Sequence, residues 1–100
     1  MVRADILPGY QVAQSSHATV EFLFDHFLIA KKWHEESDYI VVLNIDNEDG
    51  LLKLISQAKD KNINHSTYRE PDLDNQYTAA AFEPGPNSKK LCRGLKLAFS

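Results

Sequence analysis

Cysteine is almost missing from this chain: Cys92 is its one thiol. A lone cysteine closes no disulfide within the chain and builds no multi-cysteine metal centre, which fits a reducing, cytoplasmic setting. Long apolar runs are missing as well. No stretch of about 18 apolar residues occurs, so no membrane span is expected. The opening residues MVRADILPGY carry an acid and lack the apolar run of a signal peptide. Zinc-type spacing, a P-loop, a GxSxG elbow and a GxGxxG fingerprint are all absent, and neither a metal nor a cofactor is expected. Basic residues are scarce in residues 1–50, where Arg3, Lys31 and Lys32 face nine acids; residues 51–100 hold eight Lys/Arg and five acids. The net charge of −3 does not favour nucleic acid. The uneven spread still leaves room for a basic face toward the C-terminus, although such runs are more often solvated helix faces.

What is present suits one domain spanning residues 1–100, with a 43% hydrophobic content able to build one modest core. Val2 to Leu7 alternates apolar and polar residues as a half-buried strand does. Pro8 and Gly9 break it, and a helical pattern runs from about Val12 to His34. Ala13, Val20, Phe24, Phe27 and Leu28, at helical steps, predict its buried stripe. Gln14, Ser15, Ser16 and His17 crowd its first turns, where unpaired N–H groups and the positive dipole end favour an anion or oxyanion.

Asp38 to Ile45 is nearly continuous in apolar, β-branched residues, which predicts a central strand covered on both faces. Asp46-Asn47-Glu48-Asp49 caps a second helix with Leu51, Leu52, Ile55 and Ala58 inward, ending near Lys61-Asn62. His65–Arg69 and Gln76–Phe82 read as strands, and the short acidic turn between them implies antiparallel neighbours. Pro84–Ser88 breaks the chain again, with Asn87 or Ser88 as candidate N-cap. Leu91, Cys92, Leu95 and Phe99 then space out a third helix. Its basic residues are Lys89, Lys90, Arg93 and Lys96, with Lys89, Arg93 and Lys96 on one face. The order β-α-β-α-β-β-α predicts an α/β domain with a four-stranded mixed sheet and helices packed on it.

Residue chemistry gives few candidates. His17, His26, His34 and His65 are scattered, and a lone histidine near an apolar face is usually structural. His17 is accordingly expected to be partly buried and hydrogen-bonded. Ser16 and His17 are neighbours on a helix and do not face each other, so they make no dyad. Glu70, Asp72 and Asp74 crowd one turn, either as acid/base carboxylates or as solvated turn acids. Ligand sites in open α/β sheets gather outside the carboxyl ends of strands. If the first and third strands run parallel, the Pro8–Gln14 and Glu70–Asp74 turns share an edge of the sheet.

The stretch GYQVAQSSHA, Gly9 to Ala18, resembles the G-K-x-A-A-Q-x-x-H-A motif of the type 2 peptidyl-tRNA hydrolases. The strand IVVL, the acidic cap, R-E after the third strand, T-A-A-A-F-E-P and an amphipathic C-terminal helix follow in the same order. The resemblance implies hydrolysis of the ester joining peptide to tRNA. Gln14 and His17 match the motif, Glu70 takes the place of an aspartate with Asp72 as a nearby substitute, and Thr78 matches a threonine on the fourth strand. Tyr10 stands where the motif has lysine. Under this reading Gln14, Glu70, Asp72 and Thr78 form the catalytic set. Tyr10, His17, Lys89, Lys90, Arg93 and Lys96 meet the substrate, with peptidyl-tRNA or tRNA as partner. A non-catalytic homologue that binds RNA or a protein through the same cleft, and a small-molecule-binding domain, are the rival readings. A homodimer is left open.

Overall fold

The computed structural model describes residues 1–99. Its elements are β1 (Val2–Arg3), α1 (Pro8–Asp25), α2 (Phe27–Glu36), β2 (Asn44–Ile45), α3 (Glu48–Asp60), β3 (His65–Glu70), a short 3-10 turn (Pro71–Leu73), β4 (Gln76–Phe82) and α4 (Pro86–Leu91). The sheet is mixed and four-stranded, in the order β2-β1-β4-β3. Strand β1 pairs with β2 in parallel and with β4 antiparallel, and β3 is also antiparallel to β4. Strands β1 and β3 therefore point the same way, and the turns that leave them lie at one end of the sheet.

Helices cover both faces. Val2, Ala18 and Ala79 form a buried cluster on the α1 side, joined by Ile6, Val42, Tyr68 and Ala81. Leu51, Ile55 and Ala80 form another on the α3 side, joined by Met1, Ile45, Tyr77 and Phe82. A third cluster, Ala58, Ile63 and Leu91, seats α4 on α3. Three successive alanines in β4 let helices approach the sheet closely from either side.

Several expectations are corrected. The strand expected over Val2–Leu7 stops at Arg3. The long helix breaks at His26, whose backbone leaves helical geometry (φ −134°, ψ 55°). The His26 ring then reaches across to β3, with Nε2 3.1 Å from the His65 carbonyl. Ala13, Val20, Phe24, Phe27 and Leu28 are exposed, and the buried face of α1 is Gln11, Gln14, Ala18 and Phe22. The spacing of that face is helical, but two of its four members are amides, so a hydrophobic pattern could not reveal it.

The run Asp38–Ile45 is not a central strand. Only Asn44–Ile45 is strand, and it lies outside β1 in the sheet order. Its far side is covered by residues 96–98, through a Leu43–Leu97 bridge and hydrogen bonds from Asn44 N–H to Lys96 and from Ala98 N–H to Val42. The C-terminal segment is not a helix through Phe99 either. Helix α4 starts from Gly85 rather than from Asn87 or Ser88, and ends at Leu91. Gly94 then turns the chain at φ +88°, a conformation glycine adopts without steric cost. Lys89 and Lys90 lie on α4, whereas Arg93 and Lys96 lie beyond it, so the expected single basic helix face does not form.

Other expectations hold in detail. Asn47 caps α3, its side chain accepting from Gly50 N–H at 3.0 Å, with Glu48 and Asp49 in the first turn. Strand β4 spans Gln76–Phe82 as read from the sequence.

Candidate functional site

The site begins with an irregularity in the β3–β4 hairpin. Tyr68 pairs with Ala79, but Arg69 pairs with Tyr77, so Thr78 is an extra residue in β4. Side chains along a strand alternate between faces, and a bulge shifts that alternation. Ala79 packs on the α1 side and Tyr77 on the α3 side. Thr78, left between them, turns to α1. There its hydroxyl donates to Gln14 Oε1 at 2.9 Å, in a fully buried contact. The Tyr68 carbonyl lies 3.5 Å from the same hydroxyl. This bond fixes the Gln14 amide with its oxygen inward. Its Nε2 then faces the other way as a donor with no partner among the described residues.

On β3, Ser66, Tyr68 and Glu70 alternate toward α1. Ser66 donates to Asp25 Oδ2 at 2.7 Å. The Tyr68 ring stacks against the His17 imidazole, with centroids 4.5 Å apart and planes 16° from parallel. His17 is exposed, correcting the expectation of a partly buried, hydrogen-bonded residue. Glu70 is buried, with 8% of its surface exposed. Desolvation pushes the Tyr68 phenol above its usual pKa; the charge and hydrogen bonding of Glu70 add to this, followed by the charges of Glu21 and Asp72. Asp72 itself is exposed on the 3-10 turn that follows Glu70.

The floor of this end of the sheet is held by Arg3, which is buried. Its guanidinium forks onto both oxygens of Asp5 at 2.8 Å and donates to Gln76 Oε1 at 2.9 Å and to the Tyr77 carbonyl at 3.2 Å. The ion pair raises the Arg3 pKa and lowers that of Asp5, the direct hydrogen bond being the first cause of each. Gln11 ties down the β1–α1 turn, its Nε2 donating to the Ile6 carbonyl at 2.8 Å. Its Oε1 is buried without a hydrogen-bond partner among the described residues. Helix α1 opens with Pro8 and has no side-chain cap, and its first backbone bond runs from Gln11 N–H to Leu7 O. The N–H groups of Gly9 and Tyr10 thus face outward beside the half-exposed Tyr10 ring.

The fold therefore brings Gln14, His17, Glu70 and Thr78 to one end of the sheet, with Tyr10 at the start of α1 and Asp72 at the rim. It does not bring Lys89 and Lys90 there, since α4 follows the opposite end of β4. Arg93 and Lys96 are exposed in the tail that passes to β2. Sequence reasoning missed Tyr68, Gln11 and Arg3. Two signals pointed to the first two: the two-residue step from Tyr68 to Glu70, and the three-residue step from Gln11 to Gln14. Among the described residues no cluster of three or more His, Cys, Asp or Glu could hold a metal ion. No helix among them is long and apolar enough to cross a membrane.

An α/β sheet with polar side chains grouped at the carboxyl ends of two like-directed strands belongs to the class of domains that bind ligands at such ends. Here the end of the sheet gathers a buried carboxylate, a fixed amide and helix N–H groups. The family model described as Peptidyl-tRNA hydrolase PTH2 matches residues 1–98, and the chain belongs to that family. A search of curated proteins finds no match.

Proposed function

We propose that this protein hydrolyses the ester between a peptide and tRNA, using the cleft between α1 and the β3–β4 hairpin. The observation that carries the reading is the buried Thr78–Gln14 bond at the end of the sheet where Glu70 is also buried. Family membership supports the substrate class.

In this mechanism the Glu70 carboxylate takes a proton from water as its oxygen attacks the ester carbonyl carbon. The carbonyl π electrons move to oxygen, and the Gln14 Nε2 donor and the N–H groups of Gly9 and Tyr10 stabilise the oxyanion. The intermediate collapses, the bond from carbon to the ribose oxygen breaks, and the protonated Glu70 returns its proton to the leaving alkoxide. Thr78 acts through Gln14 by fixing which end of its amide faces the cleft. Asp72 stands exposed at the rim on the turn that follows Glu70. Lys89 and Lys90 meet the RNA backbone away from the cleft, with Arg93 and Lys96 extending the contact.

The assay is release of peptide from purified peptidyl-tRNA. The wild type is expected to release it, and Glu70→Gln to lower kcat by about two orders of magnitude or more. Tyr10→Lys is expected to raise the rate, because an ammonium attracts phosphate and stabilises an oxyanion better than a phenol. Lys89→Ala with Lys90→Ala should weaken tRNA binding and flatten its salt dependence by up to about one unit of slope per lost phosphate contact. A second reading rests on Tyr10 itself: with a neutral phenol at the cleft mouth, the domain binds RNA or a protein without catalysis. Tight tRNA binding with no peptide release in the wild type selects it.

A further inference from the structure

Tyr68 occupies a position that the hydrolytic scheme leaves unused. It lies between the residue proposed as base and the exposed histidine of α1. One side of its ring is covered by the His17 imidazole, nearly parallel at a centroid distance of 4.5 Å. Its backbone carbonyl is the neighbour of the Thr78 hydroxyl at the bulge. Its side chain and that of Glu70, two residues on, share the face of β3 that looks to α1, and Glu70 is buried there. A buried carboxylate needs donors, and among the described residues no lysine or arginine pairs with it: Arg3 is committed to Asp5 and Gln76, and Arg69 lies over the Tyr77 ring, 5.0 Å from its centroid.

We propose that Tyr68 is the positioning residue of this cleft: its ring is clamped under His17, and its hydroxyl donates to the Glu70 carboxylate and holds it toward the substrate. The inference rests on the hydrolase reading only in giving Glu70 its role as base; the geometry it describes stands apart from activity.

Three physical consequences follow. A phenol is a neutral donor, so it orients the carboxylate without adding a charge to the site. The groups that face this pair are His17 and Glu21 from α1 and Asp72 from the 3-10 turn. The charges of Glu21 and Asp72, like that of Glu70, oppose ionisation of the Tyr68 phenol and keep it a donor. The stack limits rotation of the Tyr68 ring, so the hydroxyl is delivered to one place. A flat imidazole serves this clamp whether or not it is hydrogen-bonded, which accounts for an exposed His17 in contact with the site.

The test is a titration of the Glu70 carboxyl carbon by NMR in 13C-labelled protein, read beside the pH profile of kcat/KM for peptidyl-tRNA hydrolysis. Tyr68→Phe keeps the ring and the stack and removes only the hydroxyl. Its expected result is a Glu70 titration raised by about one pH unit, the scale of one lost hydrogen bond to a carboxylate. The acid limb of the rate profile should move by the same amount, with plateau kcat falling through loss of the carboxylate's orientation and KM nearly constant. His17→Phe, which preserves a stacking partner, should leave the titration in place, and His17→Ala should move it part of the way. An unchanged Glu70 titration in folded Tyr68→Phe overturns the inference whatever the activity. The absence of peptide release by the wild type sinks the hydrolase reading instead, and the carboxyl titration still decides whether Tyr68 holds Glu70.

Discussion

Segment 38–45 is the most apolar run in the chain, yet Tyr39 is 83% exposed and only two of its residues join a strand. Strand β4 offers a threonine and three alanines, and Thr78, Ala79 and Ala80 are all fully buried. The comparison separates the apolar content of a segment from the burial its neighbours provide. Strand β4 lies between β1 and β3, with α1 and α3 packed on its two faces, so even small side chains there lose all contact with water. Segment 38–45 lies beyond β1. It is covered on its outer side by the tail at 96–98 and enters by a reversal at Asp38, where φ is +62°. The same contrast divides α1. Phe24 is 83% exposed, while Gln14 is buried because Thr78 satisfies it.

The largest effect that sharpens this contrast is at the α3 face. Leu51→Ala empties a fully buried site and is expected to destabilise the fold by about 2–5 kcal/mol in denaturant titration. Phe24→Ser and Ile40→Ser, at exposed positions, should each stay within about 0.5 kcal/mol. If Ile40→Ser cost as much as Leu51→Ala, segment 38–45 would be as well packed as β4 and the contrast would be broken.

Next comes the buried polar contact. Thr78→Val preserves shape but strips the donor from Gln14 Oε1, at a cost of about 1–3 kcal/mol. The freed amide can then rotate, so peptide release should fall more than stability alone explains. Equal melting temperatures for Thr78→Val and wild type would show that the bond holds nothing.

A smaller effect is expected at His17. An exposed stacking partner contributes about 0.5–1.5 kcal/mol, so His17→Ala should lower stability by no more than that range. A loss of several kcal/mol would return His17 to the buried structural role first expected of it.

The smallest effect is in acid. The hydrogen bond from Arg3 holds the Asp5 carboxyl below its usual pKa. A lowered folded-state value contributes stability above the unfolded pKa and loses it as pH falls through the folded one. Wild-type stability should therefore decline below about pH 4 partly through Asp5, and Asp5→Asn should be less stable at neutral pH but lose less on acidification. Asp5 is partly exposed, so solvent screening keeps the difference small. Parallel stability curves for the two proteins from neutral to acid pH would remove Asp5 from the account.

Local signals in the sequence determined much of this protein. Asn47 and the acids after it fix the start of α3, because a helix N-terminus needs acceptors whatever surrounds it. The short link after Glu70 makes β3 and β4 antiparallel, because no crossover fits in it. The Gln14–His17 motif and Thr78 pointed to the end of the sheet where polar groups gather. Tertiary structure decided the rest. It chose which face of α1 is inside, because a buried amide is as stable as an apolar side chain once a threonine meets it. It moved the most apolar run outward, because strand order depends on pairing partners distant in sequence. It also turned Thr78 toward Gln14, because one unpaired residue in a hairpin reverses the direction of a side chain, and no property of the threonine itself records which way the ladder slips.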